Sequence, residues 1–181
     1  MACLPTTPIT NNVLTDTVAS NTDGWINITA VSTSALTQYF PVQSTPTVLT
    51  FNGVFQTTFQ HGRVLQLQIE ETASSSANVK KTALQVYLYT GAAPATPTAG
   101  AVYNGSPTNL VGIVEIAAGD YKRVADTVWL ANVKPEVWVR TGSTASSVNI
   151  YAVVLANEAK TYASGAALRA RLFTEQSTAL A

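Results

Sequence analysis

The stretch Asp126–Ala156, DTVWLANVKPEVWVRTGSTASSVNIYAVVLA, decides the fold. It holds three runs rich in valine, isoleucine, tryptophan and tyrosine, residues that suit a pleated, half-buried surface, and short turn-forming breaks separate them. No helical spacing interrupts the pattern. A tight connection at Asn132–Pro135 would set Ala131 opposite Glu136 and Trp129 opposite Trp138. Side chains alternate across a strand, so Val128, Leu130, Val137 and Val139 would then share one face, and Trp129, Trp138 and Arg140 the other. A face with two tryptophans and an arginine needs a cover, either a second sheet or another subunit.

Working outward, the same texture fills most of the chain. Trp25–Val31 (WINITAV) alternates as a strand does, and Leu36–Val42 reads as a second strand, with Pro41 at a sheet edge or strand end. Thr47–Gln60 is a longer β-run bent at Asn52-Gly53, a strong two-residue hairpin signal. In Arg63–Glu71, Leu65, Leu67 and Ile69 alternate with Gln66, Gln68 and Glu70. In Thr82–Thr90, Leu84, Val86 and Leu88 alternate with Gln85, Tyr87 and Tyr89. Leu110–Ile116 and Tyr121–Val124 resume the β-pattern. The last segment, Ala166–Gln176 (AALRARLFTEQ), fits either period, and the β-character of everything before it favours an extended strand.

Many short strands without a βαβ rhythm predict an all-β, two-sheet antiparallel sandwich, in preferred form a jelly roll. The expected organisation is an N-terminal arm over 1–24, a sandwich domain over 25–157 and a C-terminal tail or final strand over 158–181. Between Gly91 and Asn109 runs a long loop, GAAPATPTAGAVYNGSPTN, small, uncharged and stiffened by three prolines. Loops beyond about 15 residues in compact domains tend to be binding loops or disordered segments. This one holds no acid or base and suits packing against a flat protein surface.

Composition narrows the function. The 181 residues are 46% hydrophobic and only 11% charged, with ten basic and ten acidic groups, against roughly 25% charged in ordinary domains. A neutral balance gives no electrostatic reason to bind nucleic acid or a membrane. The longest apolar run, Tyr151–Ala156, is far short of the ~20 residues a membrane helix needs. MACLPTTPITNN lacks the basic start and apolar core of a signal peptide, so synthesis in the cytoplasm is expected. The single cysteine, Cys3, forms no intrachain disulfide framework.

Catalytic chemistry is hard to find. One histidine, His61, and one cysteine make a transition-metal cluster implausible. Asp120 and Asp126 lack the spacing of a calcium loop. No G-x-S-x-G elbow presents a serine to His61. Glu70 and Glu71 are adjacent on a strand and point to opposite faces, so they form no catalytic pair. The sequons at Asn27 and Asn104 carry little weight without a signal peptide. The pairs Lys80-Lys81, Lys122-Arg123 and Arg169/Arg171 are expected to be solvated or matched to acids of other subunits. No cofactor or metal is expected, and the reading is of a non-enzyme.

The polar arm, the many short strands, the Ser/Thr/Ala-rich loops and the run GDYKRVADTVWLANVKPEVWVRTGSTASSVNIYAVVLAN (119–157) together resemble structural proteins of tailed bacteriophages. The likeness is to small jelly-roll decoration, or cement, proteins. It implies a trimer or dimer on the capsid exterior that bridges neighbouring subunits of the major capsid protein, with the arm, the long loop and the tail supplying contacts. Expected interface residues are Trp129, Trp138, Arg140, Tyr87, Tyr89, Pro94, Pro97 and Tyr103. Two alternatives stay open: a tail, adaptor or fibre-head component of the virion, and a carbohydrate- or receptor-binding module using Trp25, Trp129, Trp138 or the tyrosines as stacking platforms.

Overall fold

A computed structural model describes residues 10–13, 24–29, 31–56, 61–140 and 147–177. Its strands are β1 (Thr10–Val13), β2 (Ile26–Ile28), β3 (Leu49–Gln56), β4 (His61–Thr72), β5 (Leu84–Tyr89), β6 (Leu110–Ile116), β7 (Tyr121–Ala125), β8 (Val128–Val133), β9 (Val137–Arg140), β10 (Ser147–Ala156) and β11 (Ala167–Ser177). Two single turns of 3₁₀ helix, Ser76–Asn78 and Ala118–Asp120, sit in connections. Of the arm expected over 1–24, only β1 and Gly24 lie within the described residues.

The strands form two antiparallel sheets. The first runs β1-β11-β4-β8-β7, with β2 also on β11 and β9 also on β4; the second runs β3-β10-β5-β6. Both β1 and β2 pair antiparallel with β11, at Phe173–Gln176 and Leu168–Ala170, so they lie end to end along it. The chain crosses between sheets at most connections, and β2-β11-β4-β8 stacked on β3-β10-β5-β6 is the eight-strand order of a jelly roll. The predicted sandwich is therefore observed, and its final segment is a strand in the first sheet, between β4 and the β1/β2 pair.

Alternation builds the core. Leu67, Ile69, Ala131, Leu168, Ala170 and Leu172 from the first sheet meet Leu84, Val86, Leu88, Val114, Ile116, Ile150, Ala152 and Val154 from the second, all buried. The apolar run of β10 has a further cause: Val153 and Leu155 lie on its other face and are also buried, in a second small cluster with Tyr89.

Three sequence expectations change. First, Asn132–Pro135 is no hairpin. β8 pairs with β4 at Leu67–Thr72, and β9 pairs with β4 at His61–Val64, both antiparallel. The two are one interrupted strand along β4, so Trp129 and Trp138 never face each other. Pro135, which offers no N–H, and Glu136, at φ 48°, make the interruption. Second, Asn52-Gly53 makes no hairpin: β3 runs through it with Gly53 at φ 60°. There the pairing with β10 shifts register, and the Asn149 side-chain oxygen accepts the Gly53 N–H at 2.9 Å. It is a bulge, the other use of a left-handed glycine in a strand. Third, Leu36–Val42 is no regular strand. It keeps one bridge, Pro41 to Leu155, beside the end of β10.

Candidate functional site

The outer face of the first sheet gathers most of the chain's arginine. Registers place Glu175, Arg63 and Trp138 in one row across β11, β4 and β9; Arg171, Gln68 and Asn132 in another; and Arg169, Glu70, Leu130 and Lys122 in a third. Arg63 Nε donates to Glu175 Oε2 at 2.6 Å. Arg169 Nε and Nη2 donate to the two oxygens of Glu70, each at 2.8 Å, the fork-to-fork geometry that suits guanidinium and carboxylate. Arg171 is held by Gln68 Oε1 at 2.7 and 3.1 Å. Arg169 and Arg171 also lie 4.6 Å from the ring centre of buried Trp25, within cation–π range.

At the end of this face stands Trp138, 65% exposed. Its ring lies 5.3 Å from the Arg63 guanidinium carbon, and exposed Arg140 follows two residues later on the same side of β9.

Trp129 is elsewhere. It shares its row with buried Glu71 and Leu168 and packs against the core, so its side chain points inward with Val137 and Val139. The expected face of Trp129, Trp138 and Arg140 is thus divided between the inside and the outside of the sheet. The face assignment failed with the hairpin, because three interrupting residues do not reverse the chain.

Glu71 beside Trp129 is fully buried. Its two oxygens accept the backbone N–H groups of Lys80 at 2.6 Å and Lys81 at 2.8 Å, closing the connection from β4 to β5 onto the sheet. The Lys81 ammonium lies 4.6 Å from the Trp129 ring centre. Burial pushes the Glu71 carboxyl above its ordinary value, outweighing the two N–H bonds and the charges of Lys160 and Lys80. Buried Tyr121 and Tyr162 share this neighbourhood, and burial pushes both phenols up, with nearby ionisable groups adding to it.

The second sheet's outer face is partly covered by the chain's own long loop. Tyr103 reaches back from that loop: its hydroxyl is 3.2 Å from that of Tyr89, and its ring meets Tyr87 edge to face at 5.9 Å. The Tyr103 N–H donates to the Tyr39 carbonyl at 3.0 Å. Tyr89 and Pro97 are buried, whereas Tyr87, Tyr103 and Pro94 are half-buried. These expected interface residues therefore form two groups on opposite faces, Tyr87, Tyr89 and Tyr103 on one and Trp138 with Arg140 on the other.

Sequence reasoning missed the internal partners of the arginines. Arg169 and Arg171 meet Glu70 and Gln68 of the same chain. The signal was available in the alternation of β4 and β11, but only the register sets those side chains opposite one another. Glu70 and Glu71 do point to opposite faces, one to Arg169 and one inward. His61 enters β4 by its backbone, while its side chain lies outside the described residues. A half-open pocket of about 270 Å³ is lined by Ser32, Ser34, Leu36, Pro41, Gln43 and Gly100, without a charged group. Gln43 in its wall is already engaged with Thr29 and Thr47. Among the described residues, no three histidine, cysteine or acidic side chains come together as metal ligands.

No family model matches the sequence, and no curated protein does. Among solved structures, the chain is similar to one from Desmodium yellow mottle tymovirus, with 11% identity and a TM-score of 0.30 over 100% of this chain and 97% of that one. A marine algae virus of the order Picornavirales gives 10% identity and a TM-score of 0.24 over 86% and 69%. The native virion of Kashmir bee virus at acidic pH gives 17% and 0.17 over 83% and 73%. The jelly-roll assignment rests on the strand pairing described above, independently of these likenesses.

Proposed function

We propose that the chain is a structural protein of a virus particle and, more finely, a decoration protein that binds the capsid exterior and bridges neighbouring shell subunits. The observation that carries the reading is the strand order, β2-β11-β4-β8 over β3-β10-β5-β6. Jelly rolls of this order recur in capsid proteins and in lectins. Fold alone does not determine function, so the chemistry of the surface must choose between them. Its polar side chains are spent on one another: Arg63 on Glu175, Arg169 on Glu70, Gln43 on Thr47. Such a surface is built for fixed contacts. The sugar-binding alternative needs open aromatic platforms, and of the three tryptophans only Trp138 is exposed.

The test is the copy number of this chain relative to the main shell protein, by quantitative mass spectrometry of purified particles. A ratio of the same order as the shell subunit is expected. A ratio tens-fold lower would move the protein to a tail or fibre, and absence from particles would overturn the virion reading.

A further inference from the structure

We propose that Asn104 is a site of self-modification: its side chain closes on the Gly105 nitrogen to a succinimide, and the isoaspartate that follows unseats Tyr103 and releases the long loop. The reaction uses this chain and water alone, so it fails or holds independently of the virion reading.

The chemistry starts from a residue pair that occurs twice in the chain, Asn52-Gly53 and Asn104-Gly105. In such a pair the glycine nitrogen can close a five-membered ring on the asparagine Cγ, and a residue without Cβ lets the backbone reach the attacking conformation most freely. The nitrogen gives up its proton and bonds to Cγ. The Cγ–Nδ2 bond breaks, and the side-chain nitrogen leaves as ammonia, carrying that proton. Water then opens the imide at either carbonyl. Opening at Cγ gives aspartate. Opening at the backbone carbonyl gives isoaspartate, whose main chain runs through the former side chain and is longer by one methylene. No oxidant, reductant or cofactor is consumed.

The structure separates the two pairs. Asn104 and Gly105 lie outside every strand and helix, and among the described residues no group accepts the Gly105 N–H. The Asn104 side chain is exposed and makes no hydrogen bond among the described residues. Both reacting groups are therefore at liberty to meet. Asn52-Gly53 lies inside β3, where the Gly53 N–H donates to Asn149 Oδ1 at 2.9 Å. Phe51 and Phe55 on either side are paired with Ile150 and Val148 of β10. Ring closure there must first break that hydrogen bond and pull the strand from its register.

What Gly105 touches sets the consequence. A Cβ on Gly105 would run into the Tyr103 ring and the Tyr89 hydroxyl. Gly105 is thus seated against the two tyrosines that fasten the loop, whose hydroxyls lie 3.2 Å apart and whose Tyr103 ring meets Tyr87 edge to face. Close packing of this kind leaves no room for an added main-chain atom. A methylene inserted just before Gly105 displaces it from this seat. Tyr103 goes with it, and the cover over Val153 and Leu155 opens.

The experiment ages the full chain at neutral pH and physiological temperature in heavy-oxygen water, beside a free peptide spanning residues 101–108. Peptide mapping that separates aspartate from isoaspartate reads positions 104 and 52, and the isotope marks conversion that occurred during ageing. Labelled isoaspartate is expected at 104. Conversion there should exceed that at 52 by about tenfold or more, the scale of a hydrogen bond that must first be broken. Limited proteolysis should cut within residues 91–109 faster in aged than in fresh protein. Asn104→Gln, whose longer side chain closes a six-membered ring far more slowly, should keep the fresh pattern on ageing. Freshly prepared Asn104→Asp carries the charge without the longer backbone and should stay protected. Circular dichroism and melting confirm that each variant is folded. An unmodified Asn104 after the free peptide has converted overturns the proposal. So does equal conversion at 52 and 104, or an aged loop cut no faster than a fresh one. Rapid cleavage of fresh Asn104→Asp would overturn the role of the lengthened backbone.

Discussion

Glu71 and Lys81 are linked through two routes: Oε2 of the buried glutamate accepts the Lys81 N–H at 2.8 Å, and the Lys81 ammonium lies over Trp129, the strand neighbour of Glu71. Lys81 takes φ 50° to reach this position, a conformation that non-glycine residues adopt rarely. The carboxylate thus holds a strained turn. Glu71→Ala leaves two backbone donors without their acceptors, at about 1–3 kcal/mol for each buried donor. Glu71→Gln keeps one acceptor oxygen and should cost less. Urea unfolding of the two variants checks the order, and hydrogen exchange should localise the loosening to residues 73–83. An alanine variant as stable as wild type would show that the clasp contributes nothing.

The same residue gives stability a pH dependence of definite sign. The folded-state value of Glu71 is raised above 4.5 by burial. In the window between those two values, the folded chain holds the proton more tightly than the unfolded chain does. This group's contribution is therefore fully present below about pH 4.5 and is lost as pH rises through the folded-state value. Other carboxylates act alike in wild type and Glu71→Gln, so the difference between their unfolding free energies isolates this one. The wild type should lose ground relative to Glu71→Gln as pH rises through the window. A difference that moves the opposite way would mean that the N–H bonds and lysines outweigh burial.

Gly112 on β6 approaches Val137 on β9, at the side where the edges of the two sheets meet. A Cβ at Gly112 would lie 2.7 Å from Val137 Cγ2, closer than real side chains come. Gly112→Ala should cost about 1–3 kcal/mol by overpacking. Val137→Ala removes the obstructing methyl groups, so the double variant should be more stable than the two single losses combined would predict. Strict additivity in thermal unfolding would place the strain elsewhere.

Tyr103 is the clamp of the long loop. Tyr103→Ala removes the edge-to-face contact with Tyr87 and the hydroxyl partner of Tyr89, and with them the cover over Val153 and Leu155. Limited proteolysis should then cut within residues 91–109 faster than in wild type, and a dye that binds apolar surface should brighten. Tyr103→Phe keeps the ring and should protect the loop nearly as well. Equal cleavage of all three proteins would show that the loop is held by other contacts.

Much of the fold was legible because alternation is local. The phases of Leu67 and Ile69 in β4 and of Leu84, Val86 and Leu88 in β5 could be read directly, and each faces the core as expected. Leu65, expected inward with them, falls at the register shift against β11 and leaves the core position to Val64. What pairs with what is not local. Asn52-Gly53 serves hairpins and bulges alike, and only Asn149 on β10 decides between them. Pro135 marks a break but does not say whether the chain turns back or continues, and the existing pairing of β4 along its whole length settles that. Of the expected face of Trp129, Trp138 and Arg140, the last two lie outward. Trp129 was misplaced because its face was inferred from a partner it does not have. Glu71 left no signal, since a buried carboxylate is distinguished by the two loop amides it meets rather than by its own neighbours in sequence.

The two tryptophans of the interrupted strand should therefore behave oppositely. Trp129 packs against the core under the Lys81 ammonium, so Trp129→Ala removes buried ring surface and should cost about 3 kcal/mol. Trp138 is 65% exposed and, among the described residues, stacks on Arg63, so Trp138→Ala should cost at most about 1 kcal/mol. Denaturant unfolding gives both values. Acrylamide quenching offers an independent readout: Trp138→Ala should remove most of the quenchable emission, because Trp25 is buried and Trp129 is shielded. Similar costs and similar quenching for the two variants would return them to one face of the sheet, and the collinear arrangement of β8 and β9 along β4 would be wrong.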